Sequence, residues 1–347
     1  MRYRPLGGTG IQVSPYCLGT MMLGAVGNAD HDDCVRIIHT ALDRGINLVD
    51  TADMYSAGES EEIVGRALQG RRDDVVLATK VYFPMGEDPN ERGGSRRWII
   101  RGVEASLRRL RTDWIDLYQI HRYDPTTDLE ETLGALTDLV RQGKVRAFGC
   151  STFPASVITE SHHVADRRGL YRFRTEQPPY SMLARSAEAE VLPTCQRHHM
   201  GVLSWSPLGF GYLTGRYRQG RPVDLSSGRP AVAPGRFDPM TNATKLAATE
   251  RLAQLAEEIG VSLARMAIAF VLAHPAITSV ILGPRTWDQL TDLLDGAETL
   301  LYDATLDRID EIVPPGTDTY AADSAWRPAS LTTPSLRRRP LADRAAA

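Results

Sequence analysis

A chain of 347 residues that is 42% hydrophobic can bury a large core, either in one α/β barrel or in two ordinary domains, and a single barrel fits it better. The net charge of −3 gives no global attraction to nucleic acid or to an acidic membrane, and no apolar run is long enough to span a bilayer. With no apolar signal core at the start, a soluble cytoplasmic protein is expected. The four scattered cysteines, Cys17, Cys34, Cys150 and Cys195, lack CxxC or zinc spacing and read as buried thiols.

The opening RYRPLGGTGIQVS has two short extended arms around Gly7, Gly8 and Gly10, which predicts a β-hairpin closing the bottom of the barrel. Beyond it, apolar runs rich in β-branched residues alternate with amphipathic stretches of helical length, the pattern of repeated βα units. The strands read YCLGT, INLVDTA, DVVLATK, WIDLYQIH, VRAFGCS, FRTEQPPYS, GVLSWSPL and TSVILGP. Helical patterns between them include DDCVRIIHTALDRG, SEEIVGRALQG, SRRWIIRGVEASLRRLR, LEETLGALTDLVRQG and the pair around ATERLAQLAEEIG and SLARMAIAFVLAH, several closing on Gly as helix C-caps do. Eight units without a linker predict one (β/α)8 TIM barrel over residues 1–316, followed by an irregular tail over 317–347. The run Arg337, Arg338, Arg339 in that tail reads as a solvated basic stretch with no assigned function. Two connections exceed the roughly 12 to 15 residues usual in compact domains: VYFPMGEDPNERGGS after the third strand and LGFGYLTGRYRQGRPVDLSSGRPAVAPGRFDPM after the seventh. Both are candidates to cover a site at the strand C-termini.

Asp50, Tyr55, Lys80 and His121 each sit where a short apolar strand ends, and parallel strands in a closed sheet would bring such ends together. Lys80 stands out because the chain carries three lysines among 40 lysine and arginine residues. Reducing a carbonyl by hydride leaves negative charge on oxygen, so a site needs a donor aimed at that oxygen and ready to release its proton. Tyr55 is the natural acid, Lys80 can favour its phenolate, Asp50 can hold Lys80 charged and oriented, and His121 can direct the substrate oxygen or pass the proton on. Singly, each is more ordinary as a turn, a packed ring or a core histidine; jointly they point to chemistry. Tyr55, Tyr82 and His121 are the candidate substrate-binding residues. Met21, Phe83, Tyr123, Phe210 and Trp326 are further candidate walls suited to a bulky or planar carbonyl, and Arg122 and Tyr123 stay outside the catalytic set. No strand is followed by GxGxxG, so a dinucleotide would have to be held in another way.

The order DTADMY, ATK, QIH and FGCS, with WSPLGFGYLTG and EQPPYSML, resembles the aldo-keto reductase family over nearly the whole chain. The likeness is greatest to the branch containing bacterial reductases and potassium-channel β-subunits. The resemblance implies a barrel that binds NADP(H) without a Rossmann fold and assigns the same four roles to Asp50, Tyr55, Lys80 and His121. It implies Ser151 and Gln177 at the nicotinamide carboxamide, and Trp205 stacked on the ring. Ser206, Pro207, Leu208, Gly209, Gly211 and Arg216 would fold over the pyrophosphate. Gly283 would open a phosphate-binding helix, Arg285 would face an adenosine 2′-phosphate, and Gln289 and Asp292 would contact adenine. Gly19, Thr20, Met21, Asp50 and Thr152 complete the cofactor set. Thr152 and Leu293 depart from the Asn residues common at those positions. The implied partner is a small-molecule carbonyl substrate, with no metal, nucleic acid or membrane.

Three other readings compete. A Schiff-base lyase could use Lys80 but leaves Asp50 and Tyr55 unexplained. A metal-dependent hydrolase needs converging ligands, whereas His162 with His163 and His198 with His199 are adjacent pairs on helix-like segments, and there is no HxH or HExxH. An NADPH-binding regulatory or redox-sensing subunit is the strongest alternative, against which stands the retention of His121.

Overall fold

The eight expected strands pair in parallel and close on themselves in the computed structural model, which describes residues 1–218, 242–296, 298–324 and 326–343. Ahead of them, β1 (Arg4–Pro5) and β2 (Gln12–Val13) form the antiparallel hairpin, Arg4 opposite Val13. The barrel runs β3 (Tyr16–Gly19), β4 (Leu48–Asp50), β5 (Val76–Val81), β6 (Ile115–Ile120), β7 (Val145–Ser151), β8 (Thr175–Gln177), β9 (Gly201–Ser204) and β10 (Ser279–Leu282), with β10 returning to β3. This is a (β/α)8 TIM barrel with an N-terminal hairpin.

The helices packed around it are α1 (His31–Asp43), α2 (Glu59–Ala67), α3 (Arg96–Leu110), α4 (Leu129–Arg141), α5 (Ala155–Arg168), α6 (Val191–Arg197), α7 (Ala243–Glu258), α8 (Leu263–Ala273), α9 (Trp287–Asp295) and α10 (Asp303–Ile312). Short polar side chains begin several of them by accepting orphan backbone N–H groups: Asp30 from Asp32 and Asp33, Ser95 from Trp98, and Thr286 from Gln289. Gly169 ends α5 at φ +63°, the left-handed conformation that favours glycine.

Inside the barrel, Leu6 and Val13 of the hairpin pack on Cys17, Leu48, Ala78, Leu117, Leu203 and Ile281, an apolar plug at the bottom. A larger apolar layer fills the space between strands and helices. All four cysteines are buried thiols. Of the second long connection, residues 219–241 lie outside the described residues. The C-terminal segment folds back on the barrel: Arg185 N–H donates to Thr317 O, Ser186 N–H to Asp318 Oδ1, and Thr319 N–H to Leu183 O, each at 2.9 Å. Short helical turns follow at Ala329–Thr332 and Pro334–Leu336. Among the described residues no helix is long and apolar enough to cross a membrane.

One close approach in the helical layer gives a test of packing. A Cβ at Gly65 would lie 2.6 Å from Arg109 O and 2.7 Å from the Leu110 carbonyl, so α2 and α3 meet backbone to backbone. Alanine would gain about 1 kcal/mol in helix propensity, but overpacking against backbone costs about 1–3 kcal/mol and no side chain can turn away. Gly65→Ala should therefore lower the urea midpoint at unchanged m-value; an equal or higher midpoint would refute the packing argument.

Candidate active site

β4 ends at Asp50, and pairing with β5 carries on for three residues, Thr51 N–H to Ala78 O at 2.9 Å and Asp53 N–H to Lys80 O at 3.2 Å. The chain then reverses: Ser56, Ala57 and Gly58 take φ of +48°, +56° and +100°. Tyr55 therefore does not sit at a strand end as expected. It lies in the turn Tyr55–Gly58, which swings the ring back over the barrel before α2 begins. Two non-glycine residues in that conformation cost roughly 1–2 kcal/mol each, strain of the kind that collects at functional sites.

Asp50, Lys80 and His121 do stand at the C-terminal ends of adjacent strands. The Lys80 ammonium is fully buried and donates to Asp50 Oδ2 at 2.5 Å, to Thr51 O at 2.8 Å and to the Tyr55 hydroxyl oxygen at 3.3 Å. Asp50 Oδ1 accepts from Gln177 Nε2 at 2.9 Å and from Gln119 Nε2 at 3.3 Å. Burial alone would push the Lys80 ammonium down, but the attraction of Asp50 and then of Tyr55 overcomes it and holds its pKa above the ordinary lysine value. His121 meets Tyr55 edge-on with centroids 6.0 Å apart and Phe83 edge-on at 4.8 Å. Its backbone N–H is bonded to Val81 O, its Nδ1 has no hydrogen-bond partner, and burial followed by the charges of Lys80 and Arg122 pushes its pKa well below the ordinary histidine value. The imidazole is neutral at physiological pH.

Of these groups Asp50, Tyr55, Phe83, His121 and Gln177 line a cavity of about 820 Å³ across the strand C-termini, a volume within the usual range of small-molecule sites, and Lys80 lies beneath its wall. Of the candidate cofactor residues, Gly19, Met21, Asp50, Ser151, Gln177, Trp205, Ser206, Pro207, Leu208, Gly211, Arg216, Gly283, Arg285, Gln289 and Asp292 line it. Thr20, Thr152 and Gly209 do not; they are buried beneath the wall. Thr20 N–H is bonded to Asp50 O, and Thr152, at φ +59°, to Gln177 O. The Gln177 amide nitrogen is directed at Asp50, while its backbone oxygen accepts from Ser151 Oγ at 2.9 Å and from Trp205 Nε1 at 3.1 Å, which fixes the indole on the cavity wall. Gln289 Oε1 accepts from Arg285 N–H as Thr286 caps α9, and Asp292 is paired with Arg265 at 2.9 Å.

Tyr82, Tyr123 and Trp326 are not on the cavity wall. Tyr82 stacks edge-on against Phe83, which is. Sequence reasoning missed Met22, Met54 and Tyr217 on the wall, and it left out Arg122, which also lines the cavity, donates to His121 O at 2.5 Å and lies 5.7 Å from the Phe83 and Trp205 ring centroids. It also missed Gln119, whose signal was an amide inside the apolar run WIDLYQIH. Away from the cavity, His162 and His198 bring their rings within 4.2 Å, yet among the described residues no group of three or more ligands could hold a metal ion.

The family model described as the Aldo/keto reductase family matches residues 15–314. An uncharacterized oxidoreductase, YrpG, of Bacillus subtilis is 40% identical over 94% of this chain and 100% of its own length. A probable voltage-gated potassium channel subunit beta of Arabidopsis thaliana is 35% identical over 90% of this chain and 97% of its own. Aldo-keto reductase YhdN of Bacillus subtilis is 36% identical over 84% and 88%.

Behind Lys80, the buried Asp53 carboxylate has no hydrogen-bond partner on either oxygen, and burial, followed by the charge of Glu61, raises its pKa to about 8. Between about pH 4 and pH 8 the folded chain holds a proton that the unfolded chain has released, so this group makes stability fall as pH rises through that window. Asp53→Asn keeps the shape without titrating. Its stability relative to wild type should climb with pH across the window, by at most about 1.4 kcal/mol per pH unit, and level off above; urea melts showing a pH-independent difference would refute the burial of an ionisable acid there.

Proposed function

We propose that this chain, which belongs to the aldo/keto reductase family, is an NADPH-dependent reductase of aldehydes or ketones in which Tyr55 is the general acid. The family is one of oxidoreductases that act on small carbonyl compounds and generally use NAD(P)H. The observation that carries the finer reading is the Lys80 ammonium, bonded at once to the Asp50 carboxylate and the Tyr55 hydroxyl at the edge of the cavity.

The cavity suits a reduced dinucleotide. Trp205 offers an aromatic face, Arg216 and Arg285 offer guanidinium groups for phosphates, and the volume is ample. Ser151, Gln177 and Asp50 would hold the nicotinamide end. The bound cofactor would supply the hydride to the carbonyl carbon. Tyr55 would donate its hydroxyl proton to the carbonyl oxygen, and the Lys80 ammonium would stabilise the phenolate left behind. Asp50 keeps that ammonium charged and aimed, and the two glutamine amides keep Asp50 from turning. His121, being neutral, can hydrogen-bond the carbonyl oxygen without a competing charge and place it at Tyr55. Phe83, Met54 and Trp205 would exclude water around the carbonyl.

The potassium-channel relatives support a second reading, in which the same cleft holds NADPH for regulation and turnover is slow. Oxidation of NADPH over a panel of aldehydes, ketones and quinones separates the two. In the catalytic reading Tyr55→Phe and Lys80→Met each lose at least about 100-fold in kcat with a folded barrel, and wild-type rates in either variant would remove the assigned roles. Arg285→Ala should raise the KM for NADPH about tenfold more than that for NADH; equal effects on both would exclude contact with a 2′-phosphate.

A further inference from the structure

Lys80, Lys144 and Lys245 are the three lysines of the sequence, and two of them are fully buried against a carboxylate. Lys80 serves the site. Lys245, on α7 (Ala243–Glu258), donates to Asp323 Oδ2 at 2.5 Å with both side chains shielded from solvent, and no step of the proposed reaction uses this pair. Asp323 belongs to the turn Ala321–Ser324 of the C-terminal segment, and its neighbour Ala322 lines the cavity. Lys245 Nζ lies 4.3 Å from the ring centroid of Tyr212 and 5.5 Å from that of Phe210. Both rings come from the turn Gly209–Thr214 after β9, and Phe210 lines the cavity, edge-on to Trp205 at 5.8 Å. A line of contacts thus runs from the C-terminal segment to the wall of the cofactor site.

We infer that the Asp323–Lys245 pair is a latch by which the C-terminal segment holds the Gly209–Thr214 turn over the cavity and so sets the residence time of a bound dinucleotide. Asp323 and Lys245 are positioning residues that act through Tyr212 and Phe210. The inference rests on the dinucleotide reading of the cavity given above.

Two physical features support it. Phe210 is held at φ +61°, between Gly209 at +56° and Gly211 at +102°; a non-glycine residue keeps that conformation only where its surroundings enforce it. The Lys245 ammonium is one such restraint, and the bond from Phe210 N–H to Ser206 Oγ at 3.0 Å is another. Removing one partner of a buried ion pair also strongly disfavours the remaining charge, so loss of the Asp323 carboxylate would weaken the hold on the Lys245 ammonium. Upstream, the contacts of Thr317, Asp318 and Thr319 with residues 183–186 deliver Asp323 to Lys245.

The test is NADPH dissociation from the full chain, followed by stopped-flow fluorescence on displacement with excess NADP+. Asp323→Asn, similar in shape but uncharged, should dissociate NADPH about tenfold faster than wild type and raise the KM for NADPH more than the KM for the carbonyl substrate. A merely destabilising change would lower the melting temperature without altering the dissociation rate of the folded protein. A rate within about twofold of wild type would overturn the latch. Should Asp323→Asn not fold, Asp318→Ala combined with Thr319→Ala removes the side-chain bonds to Ser186 N–H and Leu183 O and leaves the buried pair intact. That variant should release NADPH about threefold faster, and no change would overturn the inference. Wild type that fails to bind NADPH would remove the dinucleotide reading and the latch with it, whereas binding with unaltered variant rates removes the latch alone.

Discussion

A buried ammonium must be compensated, and much of the upper barrel is organised around satisfying that requirement. Lys80 projects from β5 into a space without solvent, where an isolated charge would be strongly disfavoured. Asp50 from β4 supplies the counter-charge, and its second oxygen takes amides from Gln119 of β6 and Gln177 of β8. One carboxylate therefore joins four of the eight strands in a polar layer directly above the apolar plug. Gln177 then passes order outward through its backbone oxygen to Ser151 and Trp205. Beyond Asp50 the ammonium bonds Thr51 O and, toward the cavity, the hydroxyl of Tyr55.

The barrel was legible because its strands are nearly continuous apolar runs and its helices carry periodic faces and capping residues, all local signals. The Lys80 position was legible from rarity, since a chain that uses arginine almost everywhere keeps lysine where size or chemistry demands it. The turn that places Tyr55 was not. Ser56 and Ala57 have no marked preference for positive φ, so the reversal that carries the ring over the barrel is imposed by tertiary structure. Tyr82 and Phe83 illustrate a related limit: the two rings meet edge-on just past the end of β5, and the sequence does not say which of them reaches the cavity. Arg122 was undervalued for the same reason.

The C-terminal segment shows how composition misleads about burial. A stretch rich in Pro, Ala, Ser and Arg reads as an irregular tail, yet its Asp323 is among the most buried carboxylates of the described residues, paired with a lysine more than seventy residues earlier. Non-local pairs leave no local trace. The rarity argument that singled out Lys80 applied equally to Lys245, and only the absence of a motif around it concealed the parallel. Two ammonium ions, each buried against an aspartate, thus occupy two levels of the structure, one under the Tyr55 hydroxyl and one behind the turn that bounds the cavity.

The hairpin at the base has a consequence for traffic. Leu6 and Val13 fill the lower end of the barrel with apolar side chains, and the cavity lies at the opposite end, across the strand C-termini. A molecule resting beside Asp50 and Gln177 would therefore be overlain by anything bound nearer the rim.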